Sequence, residues 1–513
     1  MNELVVADVV IGSGPTGWAA CMGVWARGGQ PLIIDIGYTS TSASKESVIR
    51  NPLVKPKSRF GSEHMYKFPL SEFRLDPPDG TLPLSGALGG FSTVWGAGIQ
   101  PVSEADLGGV PLSVRQSWLA SSTDLLKKID FLGRNDLLSN RDPWPVNPHD
   151  EVVMSSRFQK ILHRADSKKS IELQKVLYGS PRLAITGSKN RNRKNACTLC
   201  GLCMSGCPED SIFDSGKAIH KGILEFGGNY LNGLVTKISA CVDPAEQLGF
   251  DVALDVCAAD GSTIRVKTKR LYIAAGPIGT PILLQKSGLA PPVLDVRDSQ
   301  MFYGAFVSID KYDKSKPLMS TSQGYFSTSS GVDVEQELSM SVYEYSDEFK
   351  NRLEQMVPRL IRPLLKLAAP ITRQIVPGIG FLSQDVSGLI RLTFDGKRTT
   401  VSFRKNASTK KAIRSAKKLL GRTSRCLGLL PIPNPFATPS IGAGFHAGAS
   451  MPMGTESNNL IDWEGRLKMA PSIRIVDSTS LLRIKAGSHT FMAMANAHRI
   501  TSRIEENMLN STL

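Results

Sequence analysis

Three spaced glycines, in the turn Gly12, Ser13, Gly14, Pro15, Thr16, Gly17, constrain this chain more than any other feature. The turn follows a β-branched run at residues 5–11, which reads as a buried parallel strand, and precedes a helical stretch at 18–27. Residues 31–35 then read as a second strand, ending in Asp35. Each glycine has a separate task in such a strand–turn–helix unit. Gly12 permits the tight turn, Gly14 lets the backbone approach a pyrophosphate, and Gly17 lets helix and strand pack closely. The helix N-terminus offers N–H groups and a positive dipole end to phosphates. Asp35 stands at the spacing of a carboxylate that binds ribose hydroxyls. The expected fold class is α/β with a doubly wound, Rossmann-like dinucleotide domain, and the motif alone does not separate FAD from NAD.

The chain is too long to be that domain alone, since 513 residues make roughly three domain-sized units. A second strand-like run at 270–275 also ends in glycine, at Gly276, so the nucleotide core is expected to be discontinuous. Lys and Arg number 61 against 46 Asp and Glu, a net charge of +15. The excess sits mostly at 351–382 and at 404–425, where the second stretch holds nine basic residues and no acidic one. No helix-turn-helix, zinc finger or interleaved aromatic platform accompanies the charge, so no nucleic-acid partner is expected. No apolar stretch approaches the roughly 20 residues of a membrane span. The first residues carry no basic region or long apolar core before the first strand, and the expectation is a cytoplasmic protein.

Further segments narrow the reading. Gly-Ala-Leu-Gly-Gly-Phe-Ser-Thr-Val-Trp-Gly-Ala-Gly occupies 86–98, Ala-Ala-Gly-Pro-Ile-Gly-Thr-Pro-Ile-Leu-Leu occupies 274–284, and a histidine-bearing segment covers 445–499. With the glycine turn and Asp35-Ile36-Gly37, these resemble, in the right order, the glucose–methanol–choline (GMC) family of FAD-dependent alcohol oxidoreductases. The resemblance implies an FAD cofactor and an α+β substrate-binding domain interleaved with the FAD domain. On that plan 1–110 and 441–513 are the first and last parts of the FAD domain. Residues 111–190 are an insertion or cap, 191–299 a cysteine loop with the second FAD part, and 300–440 the substrate domain. The family's cofactor contacts carry over to Gly89, Gly90, Ser92, Trp95 and Gly96, to Ala275 and Gly276, and to Asp477, Ser478 and Thr490. Its catalytic pair carries over to His446 as base and His489 as partner, the two roles being exchangeable. Ala449 and Ser450 stand where the family usually has Gly-Thr, while Met453 and Gly454 are retained. An imidazole with an ordinary pKa of about 6.5 suits removal of a hydroxyl proton. The implied reaction is oxidation of a small-molecule alcohol or sugar hydroxyl to a carbonyl.

Cys197, Cys200, Cys203 and Cys207-Pro208 repeat the bacterial ferredoxin spacing C-x2-C-x2-C-x3-C-P. An iron–sulfur cluster, 4Fe-4S or 3Fe-4S, is therefore expected, with Cys207 or a remote cysteine (Cys241, Cys257 or Cys426) as last ligand. Zinc prefers two separated pairs, disulfides are disfavoured in a reducing compartment, and a metal-free loop is the remaining alternative. A cluster would pass electrons to a soluble carrier or a quinone, favouring a dehydrogenase over an oxidase. Arg352, Arg359, Lys366 and Arg373 recur every seven residues opposite an apolar face. That pattern fits a peripheral helix at the inner membrane face or an amphipathic piece packed on the substrate domain. Two other functions use the same cofactors: a flavin and iron–sulfur reductase of an unsaturated or carbonyl substrate, and a non-enzymatic electron-transfer flavoprotein.

Overall fold

Val9 and Val10 are wholly buried because the strand that carries them, β1 (Asn2–Ile11), lies at the centre of a parallel sheet. It pairs with β2 (Leu32–Asp35) on one side and β7 (Thr263–Ile273) on the other. Outward from these, β5 (Asn229–Ala240) joins β2 and β18 (Ala470–Ile475) joins β7, both parallel. A strand covered on both faces needs an apolar run rather than an alternating one, which is what residues 5–11 supply. β6 (Val252–Ala258) links the far halves of β5 and β7 as an antiparallel meander, and β17 (Arg466–Leu467) edges β18. The computed structural model describes residues 2–39, 73–75, 80–168, 170–189, 194–203, 207–240, 251–313, 318–329, 333, 336–346, 369–433 and 438–503.

Helix α1 (Pro15–Ala26) leaves the glycine turn with proline in its first turn, where the missing N–H costs nothing. It packs on α7 (Thr490–Thr501), so the first and last elements of the nucleotide layer meet. Helices α4 (Ser215–Phe226) and α5 (Gly276–Lys286) border the same layer. This parallel core matches the doubly wound α/β class expected from the glycine turn.

A second, antiparallel sheet has the order β15-β9-β12-β11-β10-β4. Its strands are β4 (Val176–Gly179), β9 (Met301–Ser308), β10 (Ser322–Thr328), β11 (Leu338–Tyr343), β12 (Ile375–Leu382) and β15 (Leu429–Pro431). Helix α2 (Leu112–Leu126) packs on α7 of the nucleotide layer, while α3 (Ser156–Ser167) and the basic helix α6 (Thr409–Cys426) lie against this sheet. A small third sheet joins β3 (Phe73–Leu75), β14 (Thr399–Arg404), β13 (Leu389–Phe394), β8 (Val293–Asp298) and β16 (Ala447–Gly448). Among the described residues no helix is long and apolar enough to cross a membrane.

The basic amphipathic pattern at 351–382 needs correction in its second half. Only Ala369–Thr372 is helical there, and Ile375–Leu382 is strand β12. Ile375, Pro377, Ile379 and Phe381 alternate with buried neighbours, the period of a strand. Residues 351–368, with Arg352, Arg359, Arg362 and Lys366, lie outside the described residues.

Asp8 ties β1, α1 and β7 together. Its buried carboxylate takes a bond from Arg27 and a two-pronged bond from Arg270, at 2.7 and 2.9 Å. Burial pushes its pKa up, but the Arg270 hydrogen bond and the Arg27 charge outweigh that and hold it below the usual carboxylate value. Its contribution is present above the unfolded value of about 3.9 and is lost as pH falls through the lower folded one. Asp8→Asn should cost about 3 kcal/mol in urea unfolding at neutral pH, because two arginines lose their counter-charge. An unchanged midpoint would show the cluster to be dispensable.

Candidate active site and cofactor cleft

The turns that end β1 and β7 touch. Gly12 has φ 101°, and a Cβ there would collide with the Ala274 carbonyl, while a Cβ on Gly17 would collide with the Gly12 carbonyl. Gly14 is different. It caps α1 without a side chain, and a Cβ on it would meet nothing within 4 Å. Gly96 and Gly276 are open in the same sense. Asp35 accepts the Ser13 and Gly37 amides, each at 2.6 Å, and burial pushes it up to about 6 against those bonds. A cavity of about 90 Å³ is lined by Gly12, Asp35, Gly86, Val235, Ala275 and Gly279. Open glycines at the first turns of two helices, with a carboxylate on the wall, fit a dinucleotide cofactor.

The segment at 86–98 lies over this turn. The Gly89 amide donates to Ser13 Oγ at 2.8 Å, and a Cβ on Gly90 would stand 3.3 Å from Gly14 Cα. Ser92 and Ser215 hydroxyls bond at 2.9 Å, and Ser215 also donates to the Ser13 carbonyl at 2.8 Å. Trp95 donates to the Phe213 carbonyl at 3.0 Å. Asp214 and Ser215 thus belong to the cleft although no motif singled them out. Their signal was an aspartate capping the next helix, α4. Asp477 has both oxygens taken by the chain, from Gly276, Thr280 and Thr479. Its carboxylate braces the β7 and β18 turns against each other. Ser478 is buried and donates to the Ala447 carbonyl at 3.0 Å, and Thr490 is the first residue of α7.

The two histidines predicted as catalytic are brought together from different elements. Their rings stand 5.4 Å apart at 76°. His446 precedes β16, and its carbonyl accepts the Ser299 amide at 2.9 Å. Phe445 and Ala449 on either side have left-handed backbones, φ 55° and 50°. Such strain outside glycine persists where the surroundings fix it. His489 caps α7, and its Nε2 lies 3.3 Å from the Ala447 carbonyl. Burial pushes His446 down to about 3, with His489 adding to it, and pushes His489 down to about 4. Neither Nδ1 has a hydrogen-bond partner among the described residues. Both rings are therefore uncharged at neutral pH.

The loop leading into His489 is pinned on several sides. Lys485 pairs with buried Asp106 at 3.0 Å, Arg483 with Glu337 at 2.7 Å, and Ser488 donates to the Gly98 carbonyl at 2.7 Å. Gly487 has φ 113°, and a Cβ there would stand 2.6 Å from the Tyr325 hydroxyl and 2.7 Å from Ser339 Oγ.

No protein-family model and no curated protein sequence matches the chain. Its shape does find a match: the chain shares its fold with pyridoxine 4-oxidase from Mesorbium loti. The TM-score is 0.58 at 12% identity, over 97% of this chain and 98% of that one. That likeness establishes the fold along nearly the whole length.

Within the described part of the cysteine run, Leu199 and Gly201 are left-handed at φ 57° and 74°. Cys197 Sγ accepts the Leu199 amide at 3.4 Å, and Cys207 Sγ accepts the Ser211 amide at 3.2 Å. Burial pushes the Cys203 thiol up to about 11, with Cys197 and Cys207 adding to the rise, and Cys200 is exposed. Among the described residues, however, no three His, Cys, Asp or Glu side chains are gathered as a metal-holding group. Cys241 lies outside the described residues, and Cys257 and Cys426 are free thiols.

Lys485 also helps keep His489 uncharged, since its ammonium lowers that ring's pKa behind the larger effect of burial. In Lys485→Met the His489 ring should titrate above about 4, read by NMR of labelled histidine, and Lys485→Arg should restore the wild-type value. An unmoved titration would make Lys485 a structural residue only.

Proposed function

We propose that this protein is an FAD-dependent oxidoreductase that oxidises an alcohol or sugar hydroxyl to a carbonyl, with His446 and His489 as its catalytic pair. The observation that carries the reading is the pair itself: two uncharged imidazoles 5.4 Å apart, each with an unpartnered Nδ1. The fold shared with a pyridoxine 4-oxidase supports the reaction class.

Bound FAD supplies the hydride acceptor, so the carbinol carbon gives up C–H as hydride, the O–H proton goes to an imidazole nitrogen, and C=O remains. Gly12, Gly14 and Gly17 with the first turn of α1 would hold the pyrophosphate, and Asp35 the ribose. His446 accepts the proton and His489 orients the substrate oxygen. A ring whose pKa lies far below 7 is always in the accepting form. Charging it inside the protein is costly, which favours proton and hydride leaving together. Phe381 stacks on His446 at 4.1 Å and restricts its rotation.

Anaerobic addition of alcohol should bleach the protein-bound flavin, and His446→Ala should slow that bleaching by about 10³-fold while flavin absorbance is retained. Unaffected turnover with an external reductant would favour the reductase or the electron-transfer flavoprotein instead. The pH profile follows from the burial of the pair. Protonation removes the acceptor, so kcat/KM should hold from neutral pH down to about 5 and fall only toward about 4. An acid limb near the ordinary histidine value of about 6.5 would contradict it.

The spacing of Cys197, Cys200, Cys203 and Cys207 and the two N–H···S bonds are what support an iron–sulfur cluster, although among the described residues their side chains are not gathered around one centre. A cluster there would make the protein a dehydrogenase with a carrier or quinone as acceptor. Anaerobically purified protein should contain iron and labile sulfide in similar amounts, lost in Cys200→Ser. Their absence, with peroxide formed from oxygen, would make the enzyme an oxidase.

A further inference from the structure

We infer that the substrate is an alcohol with a long apolar tail, its hydroxyl at the histidine pair and its tail along one face of the six-stranded sheet. This rests on the alcohol-oxidation reading above and narrows it.

The two faces of that sheet are treated differently. On one face Phe302, Phe306, Met340, Val342 and Val376 are between 0% and 3% exposed, forming sealed core. The other face begins at the active site. Phe381 stacks on His446, and a Cβ on Gly444, two residues before that histidine, would stand 2.8 Å from Phe381 and 3.4 Å from Met301. From there Ile379, Pro377 and Ile375 follow Phe381 at every second position of β12, each half-buried. The register sets Met301 opposite Phe381 and Val307 opposite Ile375. Leu430 of β15 stands opposite Val307 in turn. β9 and β12 thus present an apolar lane to the histidine side, with the Tyr303 hydroxyl its one polar side-chain group, and β11 borders it with Ser339, Ser341 and Tyr343.

The lane has a length and an outer end. Six residues of strand span about 20 Å, room for on the order of fifteen methylenes. Beyond Ile375 and Val307 the aliphatic side chains become exposed: Ile371 at 69%, Ile309 at 62% and Leu430 at 47%. β15 packs against α6, whose Lys410, Lys411, Arg414, Lys418, Arg422 and Arg425 are exposed and have no ion-pair partner among the described residues. That helix lies against the sealed face, with Gly421 on Pro431 and Ala416 beside Leu338 and Leu382, so the lane's outer end is marked by exposed aliphatic side chains alone. A polyol or sugar would leave the apolar side chains of β9 and β12 unmatched along the whole length of the lane.

The test compares anaerobic flavin bleaching by butanol, octanol and dodecanol in the flavin-loaded protein, with equilibrium dialysis of tritiated dodecanol as a readout independent of turnover. Each added methylene should raise kcat/KM by about fourfold until the lane is filled. Ile375→Asp should lower the dodecanol-to-butanol ratio at least tenfold and weaken dodecanol retention. Bleaching by glucose or butanol with no gain along the series overturns the apolar tail and leaves the reaction intact. If no alcohol bleaches the flavin, the reaction itself fails. Dodecanol retention that Ile375→Asp abolishes would then still support the lane, and no retention would overturn it.

Discussion

No side chain fits at Gly12 or Gly17, and the rest of the site depends on that exclusion. Because the two turns ending β1 and β7 are in van der Waals contact through Gly12 and Ala274, the N-terminal strand and a strand some 260 residues later run side by side to the same end of the sheet. β18 adds to β7 beside them, and Asp477 at its end clamps the Gly276 amide. Three turns drawn from the beginning, middle and end of the chain therefore converge at the C-terminal ends of parallel strands, where such folds place their ligands. The histidine loop follows β18 directly. Its position is inherited from the glycine contact.

What that position does to the imidazoles is electrostatic. Buried histidines lose the hydration that would stabilise their charged forms, and here both values fall well below 7. Charge is nonetheless dense nearby. Asp106, Asp142 and Glu337 face Arg141, Arg483 and Lys485, with Asp106 and Lys485 almost fully buried. The balance of that cluster matters more than its size, since paired charges hold the loop while leaving little net field at the rings. Lys485 is the exception, close enough to bias His489 toward its neutral form.

Local chemistry was legible in the sequence, and distant pairing was not. The glycine turn, the terminal Asp35 and the strand after Gly276 could be read because each encodes its own conformation within a few residues. The histidines could be read only through a resemblance. Asp106 and Lys485 are 379 positions apart, and nothing local to either marks the other. Ser215 was missed for the same reason, its role being to bridge Ser13 and Ser92. The stretch at 375–382 was read with a helical period because the basic residues before it repeat every seven. Its own isoleucines and phenylalanine alternate, and the sheet partners on both sides decided the outcome. The cysteine spacing was plain, yet spacing fixes which thiols can converge and not whether they do.

The antiparallel sheet shows how one structure can divide orientation from selection. Its sealed face supplies rigidity: large side chains such as Phe302 and Met340 fill the space left by Gly380, Gly378 and Gly304, so the strands cannot shift without opening voids. That rigidity fixes Phe381, and through its stacking the ring plane of His446, so the proton acceptor is oriented by the core. The half-buried face carries no comparable packing demand, and its side chains are held from behind by a framework they do not build. Substitutions there change what lies along the lane without moving the imidazole. A fold of this kind can keep its chemistry while its substrate preference drifts, because the residues that choose lie further along the strand than Phe381, which alone touches the reacting imidazole.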